Sequence, residues 1–180
     1  IVVDDGSTDS FYKNLFKIMK FDYRVKYIRH TNRGTALTLN TGIRIALGKY
    51  ITFLDSDDEY SKEHISKRVK YMNRNKKVDI IHSSAILIGN EEDMYVPDVR
   101  NKNKLIHLKE CVLGATIFGK NGAFFKLNGF RNIFSYDSDF IKRAEKVFHV
   151  KKVDFMTYFY YRDTNDSVLT ELKAKMHASL

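Results

Sequence analysis

Tyr50-Ile51-Thr52-Phe53-Leu54-Asp55-Ser56-Asp57-Asp58 runs an apolar strand into three carboxylates, and Ile1-Val2-Val3-Asp4-Asp5-Gly6-Ser7-Thr8-Asp9 repeats the arrangement at the start of the sequence. In α/β sheets the carboxyl ends of buried strands form the edge that binds ligands. Carboxylates gathered there repel one another unless a cation joins them. The two clusters therefore point to a divalent metal holding a phosphorylated ligand.

Outward from these strands the elements alternate. Asp9 or Ser10 is placed to cap a helix through about Met19, with Phe11, Leu15, Phe16 and Met19 at helical spacing. Residues 23–29 read as a strand, 35–47 as a helix closed by Gly48, and 50–54 as a buried strand. Ser61 opens a basic helix to about Asn73, and residues 78–88 have the β-branched enrichment of one strand. Residues 89–108 form a polar, turn-rich excursion with at most short strands. A strand at 115–118, a short helix at 120–127 ended by Asn128-Gly129, a helix at 137–148, a strand at 153–161 and a frayed helix at 171–177 follow. Such alternation predicts an α/β fold with a mostly parallel, nucleotide-binding sheet flanked by helices.

With 180 residues, 43% of them hydrophobic, the chain suits one well-packed domain rather than two. No apolar stretch approaches the ~20 residues that cross a bilayer. The lone cysteine, Cys111, excludes an internal disulfide, fits a reducing compartment and reads as a buried filler beside Val112 and Leu113. A net charge of +9 admits nucleic acid, an anionic membrane face or a negatively charged substrate as partner. The basic residues lie in separate runs within 62–77, 100–109 and 142–152, and no nucleic-acid reading motif accompanies them, which argues against nucleic acid. The sequence begins inside a strand-like run without Met or a signal peptide, as a piece of a longer chain would.

Four blocks carry a resemblance: Val2 to Asp9; Asn32-Arg33-Gly34 with Asn40-Thr41-Gly42 and Ala46-Leu47-Gly48-Lys49-Tyr50-Ile51; Leu54 to Asp58; and Leu127-Asn128-Gly129-Phe130 ahead of Tyr136-Asp137-Ser138-Asp139-Phe140. In order and spacing they resemble glycosyltransferase family 2 over residues 1–162. The resemblance implies a glycosyltransferase A-type, Rossmann-like fold. It also implies an inverting, metal-dependent enzyme that moves a sugar from a nucleoside-diphosphate donor, by default a UDP-sugar, to a hydroxyl acceptor in polysaccharide, glycoconjugate or cell-surface glycan synthesis. Within the single domain, residues 1–88 would bind the donor, and 89–180 would supply the acceptor site and the base.

By the same resemblance Asp57 ligates Mn²⁺ or Mg²⁺, and Asp55 contacts the ribose or reaches the metal through water. Asp5 accepts a hydrogen bond from the nucleotide base, with Asp4 turned towards the sheet and Ser7 shaping the turn. Asp137 is the implied general base, at a helix start. Asp139 binds acceptor or positions a loop, Gly114 lets the acceptor approach the backbone, and Arg162 closes over the diphosphate. Purely structural readings stand beside these: an Asx turn and cap at Asp4 to Asp9, carboxylates favouring a helix N-terminus at Asp137 and Asp139, an ordinary turn glycine, and an arginine stacked on Tyr160 or Tyr161.

Three departures from the family pattern are visible. Leu39 stands where relatives often carry arginine, Tyr136 where many carry glutamate, and nothing matches the family's opening strand. That strand lies beside the one beginning at Ile1, so a preceding segment of ~25 to 35 residues is expected. Rival readings are a non-catalytic nucleotide-sugar-binding module and a nucleotidyltransferase of similar fold. Expected partners are the donor and a glycan, lipid-linked or protein hydroxyl acceptor. The expected location is cytoplasmic, with the basic helices available to an anionic inner membrane face.

Overall fold

The short apolar runs and the amphipathic segments sort residues 1–101 and 104–162, which the computed structural model describes, into strands and helices. In chain order these are β1 (Val2–Asp4), α1 (Tyr12–Phe21), β2 (Tyr27–Arg29), α2 (Thr35–Ile45), β3 (Tyr50–Thr52) and β4 (Glu59–Tyr60). Next come α3 (His64–Arg74), β5 (Ile80–Ser83), β6 (Ile86–Ile88), β7 (Tyr95–Pro97) and β8 (Leu105–His107). The last are β9 (Phe118–Lys120), α4 (Asn121–Lys126), α5 (Tyr136–Ala144), β10 (Val150–Val153) and β11 (Tyr158–Tyr161).

The central sheet has the order β10-β5-β9-β3. β10 runs parallel to β5, and β9 is antiparallel to both β5 and β3, so three of the four strands share one direction. The expected mostly parallel α/β sheet is thus present, with β9 as its reversed member. Ile80 and Ile81 are both wholly buried although they point to opposite faces, as expected of a strand covered on both sides. On one face α2, α4 and α5 close a core of Ile43, Phe53, Ile80, Phe124, Phe130 and Phe140, with Phe124 stacked on Phe140 at 5.1 Å. On the other, Met72 of α3 packs with Val78, Ile81 and Phe118. β1 and β2 form a separate parallel pair, with Val3 opposite Ile28.

The sequence blocks 90 residues apart meet here. Asn40 is buried in α2, donates to the Phe130 carbonyl at 2.7 Å and accepts from the Phe130 amide at 2.8 Å. Gly129 between them has φ +64, and a Cβ there would collide with Asn40 Oδ1. Arg143 of α5 donates to the carbonyls of Leu127 and Gly129 at 2.7 and 2.8 Å, completing the clasp.

Several expected elements come out differently. Residues 78–88 form two strands, with the pairing interrupted at Ser84 and Ala85: β5 stays in the central sheet while β6 joins β11. Residues 153–161 likewise belong to two strands, and the step from β10 to β11 shadows the step from β5 to β6. At 115–118 the strand is replaced by a 3-10 turn over Gly114–Thr116, held by Thr116 Oγ1 donating to the Leu113 carbonyl, and β9 starts only at Phe118. Only 27–29 of 23–29 are extended, since Arg24 doubles back on Asp22 at 2.7 Å. Ser61 receives the His64 amide on its backbone carbonyl, and neither α1 nor α3 has a side-chain cap. Cys111 is half-buried rather than buried: it packs against the core group of Leu108, Leu113 and Tyr158 and also lines a cavity. The helix expected at 171–177 lies outside the described residues. No helix among those described is long and apolar enough to cross a membrane.

Candidate active site

β3 delivers its chain to the acidic cluster through a fixed exit. The Tyr60 hydroxyl shares its one proton between the carbonyls of Phe53 and, at 2.6 Å, Ala115, while Thr52 Oγ1 donates to the Ile117 carbonyl at 2.9 Å. Beyond Phe53 the Asp58 amide turns back to the Asp55 carbonyl at 3.3 Å. Asp58 itself is buried; Tyr158 donates to one of its oxygens and the Tyr161 amide to the other at 2.8 Å. Asp58 therefore staples the loop to β11.

Behind this loop lies a buried polar column on the inner face of α3. His64, Arg68 and Met72, four residues apart, all point inward. His64 stacks on Tyr60 with ring centroids 3.4 Å apart, and burial, then the charge of Arg68, push its imidazole down to about 4, so it is neutral. Arg68 donates to Thr157 Oγ1 and Ser83 Oγ, both at 2.7 Å, and burial lowers it to about 10. It remains a cation at neutral pH, solvated by neutral oxygens. Of the basic residues on this helix the lysines are exposed, whereas Arg68 is buried.

The second wall comes from α5. Ser135, at φ 56 and ψ 45, turns the chain sharply into the helix and places Asp137 in its first turn. Asp137 Oδ1 accepts the Ser138 amide at 2.7 Å and the Ser135 hydroxyl at 3.3 Å. Burial nonetheless pushes its carboxyl up to about 6, against those bonds.

A cavity of about 1100 Å³ opens between these walls, lined by Asp55, Asp57, Asp58, Gly114, Asp137 and Arg162, with the β7–β8 hairpin on its far side. Asp55 is pushed up to about 7 by burial, then by the charges of Asp58, Asp57 and Asp137. Among the described residues no three His, Cys, Asp or Glu side chains are grouped to hold a metal alone. A mutually repelling carboxylate pair on a cavity still fits a hard cation whose other ligands are substrate oxygens and water.

Residues 1–134 match the family model described as Glycosyl transferase family 2. The chain belongs to glycosyltransferase family 2. It is 42% identical over 101 residues to an uncharacterized glycosyltransferase of Rickettsia conorii, a match that covers 56% of this chain and 16% of that protein. Its fold is the glycosyltransferase A-type fold expected from the sequence. S. aureus TarS 1–349 in complex with UDP-GlcNAc superposes with a TM-score of 0.66 at 19% identity, over 94% of this chain and 50% of that one. The mannosyltransferase PcManGT from Pyrobaculum calidifontis, in complex with GDP-Man and Mn²⁺, gives 0.64 at 16% identity, over 97% and 50%. The chain thus spans about half the length of these solved structures.

The expected site residues fall into two groups in space. Asp55, Asp57, Gly114, Asp137 and Arg162 share the cavity; Asp4, Asp5, Ser7 and Asp139 do not line it. Asp4 is buried and accepts the Ser7 amide and the Tyr27 hydroxyl, both at 2.7 Å, with Arg29 at 3.2 Å. Asp5 accepts the amides of Arg33 and Gly34 at 2.8 and 2.9 Å, which fixes the turn into α2. Ser7 offers its carbonyl to Arg29. Asp139 pairs with Arg143 at 2.7 Å and Arg131 at 3.3 Å. Arg162 is buried, lies over the Tyr160 ring at 5.7 Å and donates to the Asp93 carbonyl at 3.1 Å, so it stacks without being on the surface. Residues 163–167 lie outside those described. Leu39 packs against the core, and Arg33 turns its guanidinium to Thr41 Oγ1.

Sequence reasoning gave no role to the column of Tyr60, His64 and Arg68, nor to the phenols of Tyr136, Tyr158 and Tyr160 around the cluster. The four-residue spacing of His64, Arg68 and Met72 was the available signal for the column. The Tyr158-x-Tyr160 alternation places both rings on one side of β11, where they stack at 5.8 Å.

Proposed function

We propose that the cavity binds a nucleoside-diphosphate sugar, by default a UDP-sugar, and transfers the sugar with inversion to a hydroxyl acceptor. The observation that carries this reading is the convergence of Asp55, Asp57 and Asp137 on one cavity, where burial raises Asp55 and Asp137 and the neighbouring carboxylates raise Asp55 further. Asp57, exposed at the mouth, and Asp55 behind it would hold Mn²⁺ or Mg²⁺. When bound, the cation would neutralise charge developing on the leaving diphosphate.

Asp137 then acts as the base. With its carboxyl at about 6 it is ionised at neutral pH, yet basic enough to accept the acceptor's proton as the new bond forms. The Ser138 amide and Ser135 hydroxyl hold Oδ1, and the Gly114 amide also faces the carboxylate, so its plane is fixed towards the cavity. Gly114, whose added Cβ would lie 3.9 Å from Asp137 Cβ, keeps the approach open. Arg162 brings a cation to the same cavity, and Asp5 holds the turn into α2 within the donor half. PcManGT, which shares the fold and is in complex with GDP-Man and Mn²⁺, supports the metal assignment.

The test uses full-length protein, Mn²⁺ and a panel of nucleotide sugars and acceptors. Asp57→Ala is expected to abolish metal-dependent nucleotide binding. Asp137→Asn should bind donor and lose transfer; unchanged turnover in that variant removes Asp137 as the base. Nucleotide-sugar binding without turnover across the whole panel would mark a binding module instead.

A further inference from the structure

Tyr136 lines the cavity immediately before the proposed base. Its ring stands edge-on to Phe130, with centroids 5.3 Å apart at 78°, which fixes its direction. The hydroxyl lies against Gly114, where an added Cβ would sit 3.4 Å from the phenol oxygen and 3.9 Å from Asp137 Cβ. The bare glycine thus leaves a notch in which the Tyr136 hydroxyl and the Asp137 side chain are neighbours. Burial, then the negative charges of Asp55 and Asp137, keep the phenol protonated at any working pH. It is a neutral hydrogen-bond donor set among carboxylates.

We infer that Tyr136 hydrogen-bonds a hydroxyl of the transferred sugar and so helps to select the donor. This rests on the proposed roles of Asp55 and Asp137: with the diphosphate at one and the acceptor hydroxyl at the other, the sugar ring occupies the space that Tyr136 faces. A phenol that gives up water when the site fills must find a sugar oxygen or be left unsatisfied. A sugar without a correctly placed hydroxyl is therefore disfavoured.

Calorimetry on full-length protein with Mn²⁺ tests this, using UDP, GDP, UDP-glucose, UDP-N-acetylglucosamine and GDP-mannose as probes. Tyr136→Phe should weaken the bound sugar nucleotide about 3- to 10-fold and leave its parent nucleoside diphosphate within about twofold. The melting temperature should not change, because the ring contact with Phe130 is kept. Equal loss for both ligands, loss for neither, or an effect confined to the KM of the acceptor would each overturn the role of Tyr136. If the wild type binds none of these diphosphates, the donor reading falls and takes this inference with it. If the wild type binds them and Tyr136→Phe changes nothing, only the inference falls.

Discussion

Replacing a proposed metal-site carboxylate should stabilise the metal-free protein. Asp55→Asn keeps the shape of the side chain and removes a charge that burial and three neighbouring carboxylates oppose. The carboxyl is raised from 3.8 to about 7. At about 1.4 kcal/mol per pH unit, that displacement is worth about 4 kcal/mol for a fully shielded group. Asp55 is partly exposed, so about half, roughly 2 kcal/mol, is expected, or about 4–8 °C in Tm for a chain of this size.

The sign follows from a folded value above the unfolded one. The stabilisation from protonating Asp55 is complete below about 4 and is lost as the pH rises through about 7. Thermal unfolding in EDTA from pH 4 to 8.5 is the assay. Asp55→Asn should melt above wild type at pH 8, and the gap should close towards pH 4. Mn²⁺ with a nucleoside diphosphate should raise the wild type at pH 8 and leave the variant unmoved. Identical profiles without ligand, or a variant less stable at pH 8, would refute the view of Asp55 as an unrelieved charge.

Transfer rates should fall about tenfold per pH unit below about 6, as Asp137 takes up its proton, and a pH–rate profile of kcat/KM measures this. Tyr158→Phe removes a donor from buried Asp58 and should cost about 2 kcal/mol in denaturant unfolding, with the Tyr161 amide still in place. Gly129→Ala strains a positive φ and drives a methyl into Asn40, breaking the clasp to Phe130. A loss of ~3 kcal/mol is expected by the same measurement, and a loss under ~1 kcal/mol would show that the clasp is not needed.

The acidic strand ends, the α/β alternation and the family were legible because they depend on local patterning. Apolar runs of four or five residues must be buried, and aspartates at their ends must face the sheet edge. The clasp between Asn40 and Phe130 was present in the sequence only as two blocks, since nothing local says that residues 90 apart exchange hydrogen bonds. Strand boundaries failed at 78–88 and 153–161 for a related reason. Both segments are rich in β-branched and aromatic residues overall, which reads as one strand, while the change of sheet is visible only in the pairing of β10 with β5 and of β11 with β6.

The same division runs through the site. Composition and order alone determined that this chain carries carboxylates at sheet edges and a helix that starts with Asp137. Only the tertiary structure separated Asp4 and Asp5, occupied by the Ser7, Arg33 and Gly34 amides and the Tyr27 hydroxyl, from Asp55, Asp57 and Asp137, which share one cavity. It also turned Arg68 inward and Asp139 onto two arginines. An aspartate reads the same in a sequence whether it braces a turn or lines a cavity, because the difference lies in which donors the fold brings to it.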